Sequence, residues 1–328
     1  MLEKTHKNEL VDMSFFKDAL ELIEKSKYIL LLTHINPDPD TLSSALALSN
    51  FFEENKIKHK VYNCNKDLPK KLDFLHGFSK ITSQEPKFYD LAICVDCASK
   101  QRFELELRQN IPIINIDHHK SNPNFGDINI INSQKSSTAE LVYDFFRYNG
   151  LYISKNSASA MYVGIYDDSL AFTNARCDEF TFEKINFLVK CGAEPSFIAN
   201  RLTKRDSLAK YRLLPKVLES LELHNEGKLA LIYLKQSWLK SSGAKPRDAE
   251  VALNMITNIG IVKIAVFFRM LKDECRISIR SKSGIDVSKI CAKFGGGGHA
   301  NAGGFSMVIK DLEETKEEVL KEIYEEEF

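Results

Sequence analysis

The segment Thr33-His-Ile-Asn-Pro-Asp-Pro-Asp40 places one imidazole and two carboxylates within seven residues, at His34, Asp38 and Asp40. Pro37 and Pro39 restrict the backbone and hold the two acids apart. A borderline nitrogen donor beside hard oxygen donors suits Mn²⁺ or a similar divalent ion better than a thiolate site would. Taken alone, the segment reads equally well as a polar turn with helix-capping aspartates. It does not stand alone. Asp96 closes the apolar run 91–95, Asp117-His118-His119 closes the run 111–116, and Asp168 follows the apolar residues 162–166. Four strand ends would then each deliver an acid to one edge of one sheet, where open α/β sheets bind their ligands. A lone aspartate after a strand is a turn residue. Four converging ones match a pair of metals with one carboxylate shared, and ions about 3.5–4 Å apart clamp the attacking and leaving oxygens of a phosphoryl displacement.

A second locus is Phe294-Gly-Gly-Gly-Gly-His299. Its glycines, Gly296, Gly297 and Gly298 among them, let the backbone approach a ligand and turn N–H groups toward an anion. His299 adds a directed donor, and Ala300, Ala302 and Gly303 leave room for a ribose or base. The plain alternative is a flexible hairpin.

The elements that must position these residues follow from hydrophobic pattern. Residues 28–32 (YILLL), 91–95 (LAICV) and 111–116 (IPIINI) read as buried strands, and 42–52 and 139–148 as helices, the latter with Ser136, Ser137 and Thr138 as caps. Residues 158–166 are apolar without a decisive period. This alternation predicts an α/β unit, a mostly parallel sheet with helices on both faces. Residues 195–223 look helical, and Arg201, Lys204, Arg205, Lys210, Arg212 and Lys216 outnumber Asp206, which fits a solvated face or the wall of an anion-binding cleft. From Lys228 the pattern changes to strands at 229–234, 262–269, 275–280 and 304–309, a helix at 249–259 and an acidic amphipathic helix at 312–328. The expected organisation is a catalytic domain over 1–200, a helical linker over 201–224 and a smaller α+β domain over 225–328.

Composition bounds the function. The 328 residues carry 45 basic and 45 acidic side chains and are 44% hydrophobic, which excludes a disordered chain and a surface built throughout to grip long nucleic acid. The N-terminus lacks an apolar signal-peptide core, and the apolar run 259–268 is short and contains Lys263, so no membrane span is expected. Seven scattered cysteines point to a reduced, cytoplasmic protein without a disulfide framework. Cys94 and Cys97 form a C-x-x-C on or beside a strand, where residues three apart face opposite ways, and no second pair completes a zinc site.

Six segments occur in the order of a known family: THINPDPD (33–40), VDCASKQRF (95–103), IDHHKSNPNFGDINII (116–131), SSTAELVYDF (136–145), GIYDDSLAF (164–172) and RSKSGIDVSKICAKFGGGGHANAGGF (280–305). Over nearly its whole length the chain resembles the DHH–DHHA1 phosphoesterases, in the branch of bifunctional oligoribonuclease/pAp phosphatases (nanoRNases). The resemblance implies one metal on His34, Asp38 and Asp96 and a second on Asp40, Asp96, His118 and Asp168, with Asp96 as the bridge. It implies that His119 contacts the scissile phosphate and that Asp117 orients the histidine pair. Arg102 belongs to the second motif, and Arg280, Ser281, Gly296, Gly297, Gly298 and His299 to the substrate-binding one. The ions implied are two Mn²⁺, with Mg²⁺ or Co²⁺ as substitutes. The substrates implied are very short RNA and 3′-phosphoadenosine 5′-phosphate (pAp), their length limited by a cleft between domains.

Two departures from the family wording stand out: Thr41-Leu42-Ser43 for a small Ala-Leu-Gly step, and Asp167-Asp168-Ser169-Leu170 for Thr-Asp-Thr-Gly. Neither removes a ligand. Asp167 adds an acid beside the site, and position favours Asp168. The closest alternative is a hydrolase of cyclic or linear signalling dinucleotides, and a more distant one is a non-catalytic nucleotide-binding protein. The inorganic pyrophosphatases of the same superfamily lack the glycine-rich motif. The oligomeric state is left open, a homodimer included.

Overall fold

The computed structural model describes residues 14–325, apart from 175, 273, 283 and 309–310, and at 299 the backbone alone. The chain divides into two compact units between Arg205 and Asp206.

The first unit begins with α1 (Ser14–Lys25) and continues through β1 (Ile29–Leu32), α2 (Pro39–Glu54), β2 (His59–Tyr62), β3 (Leu91–Val95), β4 (Ile113–Asp117), β5 (Ile128–Ile131), α3 (Thr138–Tyr148), α4 (Lys155–Asp168), α5 (Glu179–Lys190) and α6 (Pro195–Thr203). Every residue of β1, β3 and β4 is buried, as an unbroken apolar run in a covered parallel strand requires. The five strands are all parallel, in the order β2-β1-β3-β4-β5. Strand order reverses between β1 and β3, so the ligand crevice of such a sheet falls at the carboxyl ends of these two strands.

Alternate residues divide the unit into two packed layers. Ile29, Leu31, Ile93, Val95, Ile114 and Ile116 pack with the apolar faces of α1 to α6. Leu30, Leu32, Ala92, Cys94 and Ile113 pack with Tyr62, Tyr89 and Phe103. The second layer is closed by the 3₁₀ turn Lys100–Phe103 and by loop residues, where the sequence pattern placed α-helices. The connection from β3 to β4 explains the difference. Its apolar residues Phe103, Leu105, Leu107 and Ile111 alternate and lack helical spacing, so it drapes over the sheet.

The second unit runs α7 (Leu208–Glu219), β6 (Glu222–His224), β7 (Leu229–Lys235), α8 (Gln236–Ser242), α9 (Glu250–Thr257), β8 (Ile264–Met270), β9 (Glu274–Ser281), α10 (Val287–Lys293), β10 (Gly297–His299), β11 (Ala302–Val308) and α11 (Leu312–Tyr324). Its mixed sheet has the order β10-β11-β9-β8-β7-β6, and only β7 and β8 pair in parallel. One face packs on α10 and α11, the other on α7, α8 and α9. The helical stretch after residue 195 is two helices. Ile198 of α6 belongs to the first core, and Leu213 and Val217 of α7 to the second. Ser207 starts α7 by accepting the Lys210 N–H at 3.1 Å.

Candidate metal centre

The loop after β1 is tied down before it carries any chemistry. Asn63 donates from its side-chain amide to the Thr33 hydroxyl and to the His34 carbonyl, each at 2.8 Å. Asp38 then caps α2, accepting the Thr41 N–H at 3.0 Å, and Pro39 occupies the first helical turn. Asp40 is therefore a first-turn helix residue, not part of a stiffened loop as the two prolines suggested. Asp96 follows β3 in a left-handed conformation (φ 59°), its N–H bonded to the Ile116 carbonyl at 2.9 Å. Asp117 is the last residue of β4. Asp168 ends helix α4, so the apolar residues before it are helical and the expected fourth strand end is a helix end. Ser154 caps that helix by accepting the Ser157 N–H at 3.3 Å, a local signal that settles the ambiguous pattern.

These ends bring the six expected ligands together. His34 Nε2 lies 3.5 Å from an oxygen of Asp38 and 3.4 Å from Asp96 Oδ2. His118 Nε2 lies 3.3 Å from Asp168 Oδ2 and 3.6 Å from Asp96 Oδ1. Asp96 thus turns one oxygen to each imidazole. The side chains of His34, Asp38 and Asp96, those of Asp40, His118 and Asp168, and those of Asp96, His118 and His119 each present ligand atoms within 4.8 Å of one another and could hold a metal ion. Both rings are fixed from behind: His34 Nδ1 lies 2.8 Å from the Ile35 carbonyl and His118 Nδ1 3.2 Å from the Lys135 carbonyl. Such outer contacts set which nitrogen faces inward. His119 Nδ1 lies 2.7 Å from Asp117 Oδ1, and Asp117 also accepts from the Asn122 amide at 2.6 Å.

The N-terminus of α3 grips two of the acids. Thr138 and Ala139 donate their backbone N–H groups to the two oxygens of Asp40 at 2.7 and 3.0 Å, and the Thr138 hydroxyl donates to Asp96 at 2.9 Å. Ser44 adds a bond to Asp40 at 3.3 Å. Thr138, expected as a helix cap, is a support for the acids, while Ser137 is the cap. Gly164 of α4 makes room for this convergence. A Cβ there would come within 2.5 Å of Asp40 Oδ1 and 2.6 Å of Ala139 Cβ.

The electrostatics call for positive charge. Burial alone would lower the His34 imidazole, but Asp38 and Asp96 outweigh it and raise it to about 10. Burial and the neighbouring acids push Asp40 well above the ordinary carboxylate range. Burial also raises Asp168, to about 6, against the pull of His118. Burial opposes ionised Asp117 too, yet the His119 bond holds it below its ordinary value. Two imidazoles and four carboxylates, one of them shared, are the donor set that hard and borderline divalent ions prefer. The residues present fit a two-ion centre.

The paired acids at 167 and 168 face different ways. Asp168 faces His118, whereas Asp167 lies 3.1 Å from Lys71. The chain beyond them is strained: Leu170, Ala171 and Phe172 all have positive φ (52°, 55° and 67°), a conformation that costs about 1–3 kcal/mol for each non-glycine residue. Two arginines border the centre, Arg102 with Nη2 3.2 Å from His34 Nδ1 and Arg176 with Nη1 3.4 Å from His118 Nδ1. Sequence reasoning missed Arg176, Lys71 and Asn122, because nothing in spacing links them to the acids.

The second unit places the remaining expected residues on its own sheet. Gly297 and Gly298 are strand residues of β10, paired with Gly304 and Gly303, so the glycine run is half of a short hairpin. Gly298 has φ 150°, and a Cβ there would strike the Ala302 carbonyl, so only glycine fits the pairing. Gly296 precedes the strand, and the side chain of His299 lies outside the described residues. Arg280 sits on β9 opposite Ala302 of β11. The Ser281 hydroxyl donates to the Ile285 carbonyl at 2.7 Å. Arg269 of β8 is largely covered and binds Glu250 at 2.9 Å and Ser278 at 2.6 Å. Cys94 and Cys97 are fully buried, and burial pushes both thiols up, which leaves them poor metal ligands.

The DHH family N-terminal domain model matches residues 28–165, and the DHHA1 domain model matches residues 227–326. The chain belongs to the DHH–DHHA1 family. A bifunctional oligoribonuclease and PAP phosphatase NrnA from Thermus thermophilus is 28% identical over 96% of this chain and 94% of its own length. A protein of the same name from Bacillus subtilis is 24% identical over 86% of this chain and 90% of its own. The crystal structure of an exopolyphosphatase-related protein from Bacteroides fragilis superposes with a TM-score of 0.88 at 24% identity, covering 97% of this chain and 96% of that one, which shows the shared fold. Among the described residues, no helix is long and apolar enough to cross a membrane.

Proposed function

We propose that this DHH–DHHA1 protein is a metal-dependent phosphoric ester hydrolase that cleaves very short oligoribonucleotides to mononucleotides and removes the 3′-phosphate of pAp to give AMP. The observation that carries the reading is Asp96, whose two oxygens face two separate His/Asp groups. A binding module has no use for a shared carboxylate. The names of the Thermus and Bacillus relatives supply the substrate class.

His34, Asp38 and Asp96 would hold one divalent ion, and Asp40, Asp96, His118 and Asp168 the other, with Mn²⁺ the best match and Mg²⁺ or Co²⁺ able to replace it. Such ions lower the pKa of water and polarise a phosphoryl oxygen. The protein's part is positioning. Asp117 fixes the His119 ring, which donates to the scissile phosphate. Thr138 and Ala139 keep Asp40 and Asp96 in register through the end of α3. Arg102 contributes a guanidinium to the substrate's phosphate. In the second unit, Arg280, the β10 hairpin from Gly296 to Gly298 and His299 bind the remainder of the nucleotide. The Ser281 hydroxyl, spent on the Ile285 carbonyl, holds that turn in shape.

The test is a product time course with Mn²⁺ on an RNA dinucleotide, a longer RNA, pAp and cyclic dinucleotides, with Asp96→Ala as control. Rapid turnover of the dinucleotide and pAp, lost in the control, is expected. Turnover confined to cyclic compounds or their linear forms would reassign the substrate, and no turnover of anything would refute the hydrolase.

A further inference from the structure

An imidazole that gives Nε2 to a cation keeps its proton on Nδ1. At His34 the acceptor for that proton is the Ile35 carbonyl, 2.8 Å away, and at His118 it is the Lys135 carbonyl, 3.2 Å away. A guanidinium nevertheless stands against each of these nitrogens, Arg102 at 3.2 Å and Arg176 at 3.4 Å. Arginine has donors only, so neither contact satisfies it while Nδ1 is protonated. Among the described residues, neither arginine is ion-paired with a carboxylate. The Arg176 side chain has one further acceptor, the Lys135 carbonyl at 3.4 Å, which is long for a hydrogen bond. Two solvent-exposed guanidinium groups without a carboxylate partner therefore stand beside a carboxylate-lined centre, one behind each of its inward-facing imidazoles.

Arg176 is held there by the chain that carries Asp168. The left-handed turn Leu170 to Phe172 folds back so that Thr173 and Asn174 donate their N–H groups to the Ser169 carbonyl at 3.0 and 2.9 Å. The Asn174 side chain then links the two ends of the turn, donating to the Asp168 carbonyl at 3.4 Å and accepting the Arg176 N–H at 3.0 Å. None of the three left-handed residues is glycine, and strain of this kind persists where surrounding contacts over-determine it, often at functional sites.

We propose that Arg176 is a second phosphate-binding arginine, serving the His118 side of the centre as Arg102 serves the His34 side, and that it donates to a non-bridging oxygen of the substrate's phosphate. The planar fork suits this acceptor. The inference rests on the phosphoesterase reading above.

The test compares wild type, Arg176→Ala and Arg176→Lys, loaded with Mn²⁺, on pAp and an RNA dinucleotide. Mn²⁺ affinity and melting temperature are measured alongside. Arg176→Ala should lose about 10- to 100-fold in kcat/KM, the worth of a charged hydrogen bond, with Mn²⁺ affinity and melting temperature unchanged. Added guanidinium should restore part of the loss in Arg176→Ala and none in wild type, and Arg176→Lys should fall between the two. Unchanged kinetics in Arg176→Ala would overturn the proposal, as would a loss that follows Mn²⁺ affinity and ignores guanidinium. If Arg176→Ala does not fold, Arg176→Lys decides: kinetics equal to wild type overturn the proposal, and a reduced kcat/KM at unchanged Mn²⁺ affinity supports it. A wild type inert on both substrates would overturn the phosphoesterase reading, and the inference with it.

Discussion

At the scale of single residues, the adjacent acids at 167 and 168 give the sharpest contrast. Asp168 faces His118 at 3.3 Å, and Asp167 faces Lys71 at 3.1 Å. Asp168→Asn should abolish hydrolysis to within the assay limit, while Asp167→Asn should keep activity within about 10-fold of wild type, the low end of what supporting groups around a metal contribute. Steady-state rates on pAp with saturating Mn²⁺ decide it, and equal losses in both variants would contradict the assignment. The candidate ligands are legible in the sequence alone: His34, Asp38, Asp40, Asp96, His118 and Asp168 can be named from position after apolar runs and from family motifs. The groups that hold them are not. Thr138 and Asn122 act through contacts 42 and 5 residues away in sequence, to Asp96 and Asp117, and neither spacing is periodic.

At the scale of elements, the site depends on how closely α2, α3 and α4 meet. Gly164 is the point of contact, and a methyl there would press on Asp40 and Ala139. Gly164→Ala should cost about 1–3 kcal/mol of stability, the range for overpacking, and should weaken metal binding because Asp40 is the group displaced. Urea unfolding and Mn²⁺ titration measure the two effects, and a variant with wild-type values in both would contradict this packing.

The start of α3 is held by a buried ion pair. Glu140 lies 3.1 Å from Lys184 and accepts from the Ser136 hydroxyl at 2.6 Å, and Lys184 also binds Asp144 at 2.8 Å. Burial opposes ionised Glu140, but Lys184 and Ser136 outweigh it and hold the carboxyl below its ordinary value of 4.5. A depressed carboxyl contributes stability that is present above the unfolded value and is lost as pH falls through the folded one. Glu140→Gln should therefore be less stable at pH 7, by less than the about 3–5 kcal/mol typical of breaking a buried pair, since Asp144 still faces Lys184. The difference from wild type should shrink below pH 4.5. Urea unfolding at pH 7 and pH 4 tests this, and a difference that grows on acidification would contradict it.

Strands β3 and β4 and helix α3 were legible because buried parallel strands are unbroken apolar runs and the α3 residues repeat at helical spacing behind a serine cap. Strands β2 and β5 escaped notice. HKVY is half polar and INII is only four residues long, so neither stands out, and their partial burial comes from position in the sheet.

At the scale of the molecule, a chain with 45 charges of each sign has no net field to gather RNA, so binding must come from a few local contacts. A short ligand has few phosphates to offer. The affinity for a dinucleotide should therefore fall with salt with a log–log slope near −1, at about −0.7 per phosphate contacted. Fluorescence titration between low and moderate salt measures it, and a slope of several units would contradict the local account. The two-unit plan was visible in the sequence as a change of pattern near Lys228. The division between Arg205 and Asp206 was less so, because α6 and α7 follow each other closely and share one basic composition. The central claim is that Asp96 joins two metal positions into one centre. Electron paramagnetic resonance of the protein titrated with Mn²⁺ tests it most directly. The account predicts two ions per chain with an exchange-coupled signal, and loss of that coupling in Asp96→Ala. A single uncoupled ion per chain, or coupling that survives Asp96→Ala, would contradict it.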